Sequence, residues 1–252
     1  MFWIIDRKLI FSFGTIIGLI FCASFFILSF ASNEVVDTDL MKMVEEKYKG
    51  EKVAFITFDD GPSQKVTPKV LEILKKYDVE ATFFVLGKMV DENPEILKTI
   101  YEDGHFIGSH GYSHNIKKLY SSETAFIEEL QKTENSMRNA LDIQDFNCTL
   151  FRFPNGFSSR IYKSQKNICA KALSNIGYKY IDWNSLTNDS VQKLSCESSF
   201  NIFKKTSKGK DVLVILMHDS GDLNKTYDVL EDTIQYLLEK GYEFKSLEEF
   251  FD

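Results

Sequence analysis

After Val53 the chain alternates short apolar runs with amphipathic stretches, and this alternation restricts the fold more than any other feature. Runs with strand character cover Val53–Phe58, Ala81–Leu86, His105–Ser109, Leu150–Phe153, Tyr178–Asp182, Val212–Met217 and Tyr242–Lys245. Between them the apolar spacing becomes helical, over Thr67–Tyr77, Pro94–Tyr101, Glu123–Leu141, Ser159–Ile176, Cys196–Lys205 and Tyr227–Lys240. Gly104, Gly177 and Gly241 stand where helix C-caps are expected. Strand and helix in regular turn predict an α/β domain with a mainly parallel sheet of about seven strands. Periodicity leaves a closed or distorted barrel and an open doubly wound sheet both standing. In either fold, ligands gather at the carboxyl ends of the strands.

The first residues follow another rule. From Leu9 to Ala31 the chain is nearly all apolar and uncharged, with Arg7 and Lys8 just before it. That length spans a bilayer as a helix, and the preceding cations place its start in the cytoplasm. Two expectations follow: a retained signal anchor, or a secretory signal cut after Ser29-Phe30-Ala31. The apolar run exceeds a usual signal core, which favours a single-pass anchor with the folded domain outside the cell membrane; cleavage would make the domain secreted. The expected layout is 1–31 cytoplasmic tip and anchor, 32–50 stalk or leading helix, and 51–252 folded domain. A net charge of −7 over 252 residues points away from a nucleic-acid surface. Beyond Cys22, three widely spaced cysteines (Cys148, Cys169, Cys196) make neither a zinc knuckle nor a disulfide framework, leaving one disulfide or three thiols open.

Chemistry-bearing residues fall at the strand ends. The first expected strand runs into Thr57-Phe58-Asp59-Asp60-Gly61-Pro62-Ser63, two adjacent carboxylates followed by chain breakers. Their mutual repulsion calls for a compensating cation, although Asp-Gly is also a common turn. Next comes Ser109-His110-Gly111-Tyr112-Ser113-His114, whose i, i+4 histidines share a side if the segment makes a helical turn, a sound metal-ligand spacing. His105, at the start of its strand, reads as structural. In Phe151-Arg152-Phe153-Pro154-Asn155-Gly156, the arginine ends an apolar strand and needs an anion, with Asp59 a natural candidate. Asp182-Trp183-Asn184, with Asp189 shortly after, places a tryptophan where it lines either a sugar groove or the core. Val212–Met217 ends in His218-Asp219, which makes His218 a general acid or base, or a further metal ligand.

Taken in this order, the five segments resemble the polysaccharide deacetylase family, the NodB-homology domain of carbohydrate esterase family 4, and within it the peptidoglycan N-acetylglucosamine and N-acetylmuramic acid deacetylases. The likeness spans roughly residues 50–250. It implies a deformed (β/α) barrel and metal-dependent removal of acetyl groups from N-acetylated sugars. By position, it makes Asp60, His110 and His114 the ligands of one divalent metal ion, Asp59 the base and His218 the acid. Arg152 then orients Asp59, Asp189 orients His218, and Leu216 helps form the acetyl pocket. Asn155 offers a backbone N–H to the oxyanion, and Trp183 joins the substrate-binding residues. Two imidazoles and a carboxylate suit zinc, while cobalt, nickel, manganese or iron fit the same donors.

The chain departs from the family pattern at Asn155, where an aromatic residue is usual, and at Leu186, where an acidic one is common. The expected substrate is an N-acetylated cell-surface glycan, with peptidoglycan favoured over chitin oligomers or xylan because a tethered enzyme suits an insoluble polymer nearby. A monomer is expected, with the membrane as partner through the N-terminal helix. The competing class is a glycan-binding or wall-associated module without turnover. A zinc protease is disfavoured, since the sequence contains no H-E-x-x-H.

Overall fold

Strand β1 (Val53–Asp59) is buried at every one of its positions, so both of its faces must be covered. The computed structural model describes residues 39–220 and 225–251 and shows how. Element order is α1 (Leu40–Lys47), β1, α2 (Thr67–Tyr77), β2 (Thr82–Val85), α3 (Gly87–Glu92), α4 (Pro94–Glu102), β3 (Phe106–Ser109), α5 (Ile116–Leu119) and α6 (Glu123–Leu141). There follow β4 (Leu150–Phe151), α7 (Lys163–Asn175), β5 (Lys179–Tyr180), β6 (Ser185–Leu186), α8 (Cys196–Ser207), β7 (Val212–His218), α9 (Lys225–Glu239), β8 (Glu243–Phe244) and a 3-10 turn, Leu247–Phe250.

All strand pairings are parallel, in the order β5-β4-β3-β2-β1-β7-β6, with β8 beside the start of β1. Each strand along this path neighbours the next in sequence, apart from the return from β7 to β1. The break falls between β5 and β6, which residues 181–184 join directly. This is a half-barrel with the strand order of a (β/α) barrel, as expected, and it rules against a doubly wound sheet. The expected strands recur, β1 and β7 each one residue longer to take in Asp59 and His218 and the others trimmed; β6, only two residues long, is additional. So is α3, which starts at Gly87 directly after β2.

Side chains two apart on a strand share a face. The even-numbered residues Ala54, Ile56 and Phe58, with Phe83, Val85, Ile107, Phe151, Leu213, Ile215 and Met217, meet the helices in a large outer core. The opposite parity faces inward, where Val53, Phe55, Phe84, Leu150, Ile181, Val212 and Val214 form a second core. Leu40, Val44 and Tyr48 join this inner core at the amino ends of the strands, together with Leu247. The stretch expected as a stalk or leading helix therefore contributes α1, whose Leu40 and Val44 are fully buried. Asp39 caps α1 by accepting from the Met41 amide and bridges in parallel to Tyr180 beside the open seam.

With the amino end filled by apolar residues, the inward column can turn polar only towards the carboxyl ends. There it reads Thr57 and Asp59 on β1, Arg152 after β4, and His218 on β7. Cys148, Cys169 and Cys196 are free thiols, the first two buried. The expected membrane segment, 9–31, lies outside the described residues. Among those described, no helix is long and apolar enough to cross a membrane.

Candidate active site at the carboxyl ends of the strands

The register of β1 and β7 pairs Asp59 directly with His218, two strand ends about 5 Å apart. One residue on, Asp60 has φ 76, which turns the chain sharply and separates two carboxylates that are neighbours in sequence. Asp59 stays inside the barrel, 3% exposed. Its Oδ1 accepts from Arg152 Nη1 at 3.0 Å. Arg152 is itself fully buried, and the same Nη1 donates to Thr57 Oγ1 at 2.6 Å. Its Nε and Nη2 donate to the carbonyls of Ile181 and Asp182, and its plane lies 4.0 Å from the centre of the Phe84 ring. A guanidinium tied at every edge cannot swing away from Asp59. Burial pushes the Asp59 carboxyl above the ordinary carboxylate range, and the Arg152 charge opposes that rise.

Asp60 meets the two histidines instead. Its Oδ1 lies 3.6 Å from His110 Nε2 and 3.5 Å from His114 Nε2. These atoms match the edge of a tetrahedron built on metal–ligand bonds of roughly 2.0–2.1 Å, about 3.4 Å. Two further observations fit a cation here. Asp60 Oδ1 is buried with no hydrogen-bond partner in the protein. The other ring nitrogen of His110, Nδ1, is tied at 2.8 Å to the Arg152 carbonyl, which fixes the tautomer and leaves the Nε2 lone pair facing Asp60. Burial pushes His110 down to about 3, so it is a neutral, ligand-ready imidazole at working pH. Among the described residues, Asp60, His110 and His114 form the one such cluster able to hold a metal.

No helical turn spans His110–His114, the condition under which their spacing puts both rings on one side. Residues 110–115 form a loop, with positive φ at Gly111 (83) and at His114 (55). The rings converge because the backbone reverses, with centroids 5.4 Å apart, rather than because i and i+4 share a helix face.

Across the site from Asp60, His110 and His114, His218 Nδ1 and Asp189 Oδ1 are 2.9 Å apart. Asp189 is fully buried, and its Oδ2 also accepts from the His218 amide and from Thr226 Oγ1, both at 2.8 Å. Burial would push His218 down, but the Asp189 carboxylate outweighs it and holds the imidazole up at about 9. Asp189 sits correspondingly below its ordinary range, its own burial outweighed by the His218 bond. Leu216 lies on the inward face of β7 next to Thr57 and is 8% exposed, at the floor of the site.

Asn155 is exposed at φ 65 on the Pro154–Gly156 turn. Trp183 is half-buried, and its ring would be 3.0 Å from a Cβ added at Gly156. His105 is structural, as expected: its Nδ1 accepts from the Ala81 amide.

Three contributors were given no role by the sequence. Thr57 holds Arg152, and its one signal is a polar residue in an apolar strand. Asp182 accepts from the Phe157 and Ser158 amides at 2.7 and 2.8 Å, bracing the loop after Asn155. Glu129 is 3% exposed on α6, a charge within the buried stripe Phe126, Leu130, Thr133 and Met137. A carboxylate in such a stripe marks a buried polar contact.

Residues 46–181 match the polysaccharide deacetylase family. The chain belongs to that family. It is 32% identical over 226 residues to YheN of Bacillus subtilis (strain 168), a polysaccharide deacetylase by name, covering 86% of this chain and 74% of that one. A peptidoglycan-N-acetylglucosamine deacetylase of Bacillus cereus is 33% identical over 209 residues, covering 79% of this chain and 88% of the relative. The chain spans only 40% of the length of the peptidoglycan-N-acetylglucosamine deacetylase PgdA of Listeria monocytogenes, at 33% identity over 207 residues. Among solved structures, a CE4 esterase of Streptococcus mutans superposes with TM-score 0.73 at 28% identity, over 81% of this chain and 90% of the other. A CE4-family pseudoenzyme of Bacillus anthracis, BA3943, superposes with TM-score 0.66 at 26% identity, over 81% and 66%. The fold therefore does not decide turnover, and the site residues must.

Proposed function

We propose that this chain hydrolyses the N-acetyl group of amino sugars in a cell-surface glycan, peptidoglycan above others, releasing acetate and leaving a free amine. The observation that carries this reading is the division of labour between adjacent carboxylates. Asp60 joins the two imidazoles, while Asp59 is held by Arg152 and faces His218 across the strand register. A bare acidic turn has no use for a buried arginine on one carboxylate and two histidines on the other.

Amide hydrolysis needs a polarised carbonyl, an activated water and a proton for a poor leaving group. A divalent ion held by Asp60, His110 and His114, with zinc favoured by that donor set, would supply the first and lower the pKa of water. Asp59 takes the proton from the attacking water through Oδ2, since Oδ1 is engaged by Arg152. His218 delivers its proton from Nε2 to the departing nitrogen, since Nδ1 is engaged by Asp189. The C–N bond breaks as that proton arrives, and the products are acetate and the amine. Leu216 provides an apolar floor for the acetyl methyl, the Asn155 amide a donor for the developing oxyanion, and Trp183 a flat surface for the sugar.

Peptidoglycan is preferred for two reasons. The Bacillus cereus and Listeria relatives carry that substrate in their names. The N-terminal apolar run, read as a membrane anchor, would keep a monomeric domain beside its own wall. Acetate release from peptidoglycan, compared with chitin oligomers and xylan under a series of added metals, tests the assignment. Release from peptidoglycan supports it, preference for another glycan reassigns the substrate, and binding without release with every metal favours a glycan-binding module. Fractionation of cells should find the full-length chain with the membrane; a shorter, freely secreted chain would refute the anchor.

A further inference from the structure

Glu129 lies outside the reacting groups yet reaches the metal-ligating loop from behind. Its Oε2 accepts from the backbone amides of Tyr112 and Ser113, at 3.1 and 3.0 Å. Both of its oxygens accept from Ser113 Oγ at 3.1 Å, and Oε1 also pairs with Lys118 Nζ at 2.9 Å. Ser113 Oγ in turn accepts from the Asn115 amide at 3.2 Å, so the bonds bracket His114 on both sides in sequence. His114 is the ligand in need of such support. It has a positive φ and no helix or strand of its own, and its side chain is 38% exposed against 3% for His110. His110 is already fixed by the Arg152 carbonyl, whereas His114 has its position set through its neighbours' backbone. The carboxylate doing this is anchored on α6, the longest helix among the described residues, between fully packed neighbours.

We infer that Glu129 is a positioning residue that pre-sets His114 as a metal ligand by clamping the Tyr112–Ser113 backbone. The inference rests on reading Asp60, His110 and His114 as a metal site. Without Glu129 the loop must be ordered at the moment the ion binds, and outer-shell partners of this kind typically govern metal affinity by about 10–100-fold. Glu129 bonds the ligand loop and Lys118 on α5, so Asp59, Arg152 and His218, held by other partners, keep their geometry.

The test is the dissociation constant for zinc ions, by competition with a chromophoric chelator, on the full chain and on the variants Glu129→Ala, Glu129→Gln, His114→Ala and the Glu129→Ala/His114→Ala double. Glu129→Ala should weaken zinc by about 10–100-fold, with acetate release recovering at saturating zinc. Glu129→Gln keeps one acceptor oxygen for the two amides, so it should fold like the parent and lose less. In the His114→Ala background, removing Glu129 should cost nothing further. Unchanged zinc affinity in folded Glu129→Ala or Glu129→Gln, or an equal loss with and without His114, overturns the inference. If His114→Ala itself leaves zinc affinity unchanged, the metal-site reading fails first and takes this inference with it.

Discussion

At the scale of single residues, the site sorts its ionisable groups by their surroundings. His110 and His218 share a side-chain type and a rim, yet one is held down near 3 by burial and the other held up near 9 by Asp189. The first suits a ligand and the second an acid. An acid must carry its proton, so turnover through His218 persists below its folded pKa and falls as pH rises through it; a dication bound nearby draws that limb below 9. Asp189→Asn removes the charge that raises His218 while keeping the size of the side chain. The alkaline limb of kcat should then move to lower pH by a unit or more, leaving zinc affinity unaltered; a limb that stays in place removes Asp189 from the mechanism. The same pair carries a stability signature. Because the folded pKa lies above the ordinary histidine value of about 6.5, the stabilisation is complete below that value and is lost as pH rises towards 9.

At the scale of elements, the loop after β1 is fitted to the end of β7. A Cβ added at Gly61 would lie 2.1 Å from Asp219 Oδ2, so only glycine lets this carboxyl lie flat on the backbone. Asp219 is 1% exposed, its Oδ2 accepts from Thr67 Oγ1 at 2.7 Å, and its carbonyl accepts from Ser63 Oγ at 2.5 Å. Gly61→Ala should lower stability by about 1–3 kcal/mol or more through overpacking. Adding Asp219→Ala should return part of that loss, in thermal or denaturant unfolding; fully additive losses would show that the two positions do not share the strain. Here the limits of the sequence are physical. Asp59-Asp60 and His218 were legible because each ends a largely apolar run whose termination fixes the rim. The His110–His114 pair was legible only on condition of a helical turn, since spacing cannot separate i, i+4 on a helix from a backbone reversal. That reversal depends on positive φ at His114 and on Glu129, 15 residues away in the chain. Strand β6 was missed because two residues hold too little pattern to read.

At the scale of the molecule, the half-barrel has an apolar end and a polar end, and the two are linked by strand parity. Phe55, Thr57 and Asp59 step up one inward column, and Val214, Leu216 and His218 up its neighbour in register. Anything that rotates these strands moves Asp59 and His218 together. The alternation of strands and helices made the α/β parallel architecture legible, but not the seam between β5 and β6, which depends on pairings left unmade. Nor did it reveal that α1 fills the amino end of the barrel, because eight amphipathic residues before the first strand look like a linker. Leu40→Ala in the full chain should cost about 2–5 kcal/mol, the range for emptying a packed core position. A change under about 0.5 kcal/mol, within the surface range, would show that α1 is not part of the folding unit.

The central claim is that two neighbouring carboxylates do different work, and one substitution separates them. Asp59→Asn preserves size and the Asp60, His110 and His114 donors while removing the base. Acetate release from peptidoglycan by the zinc-loaded variant should fall by about 10²–10⁴-fold, with zinc bound as in the parent. Undiminished release, or loss of zinc along with activity, would contradict the account.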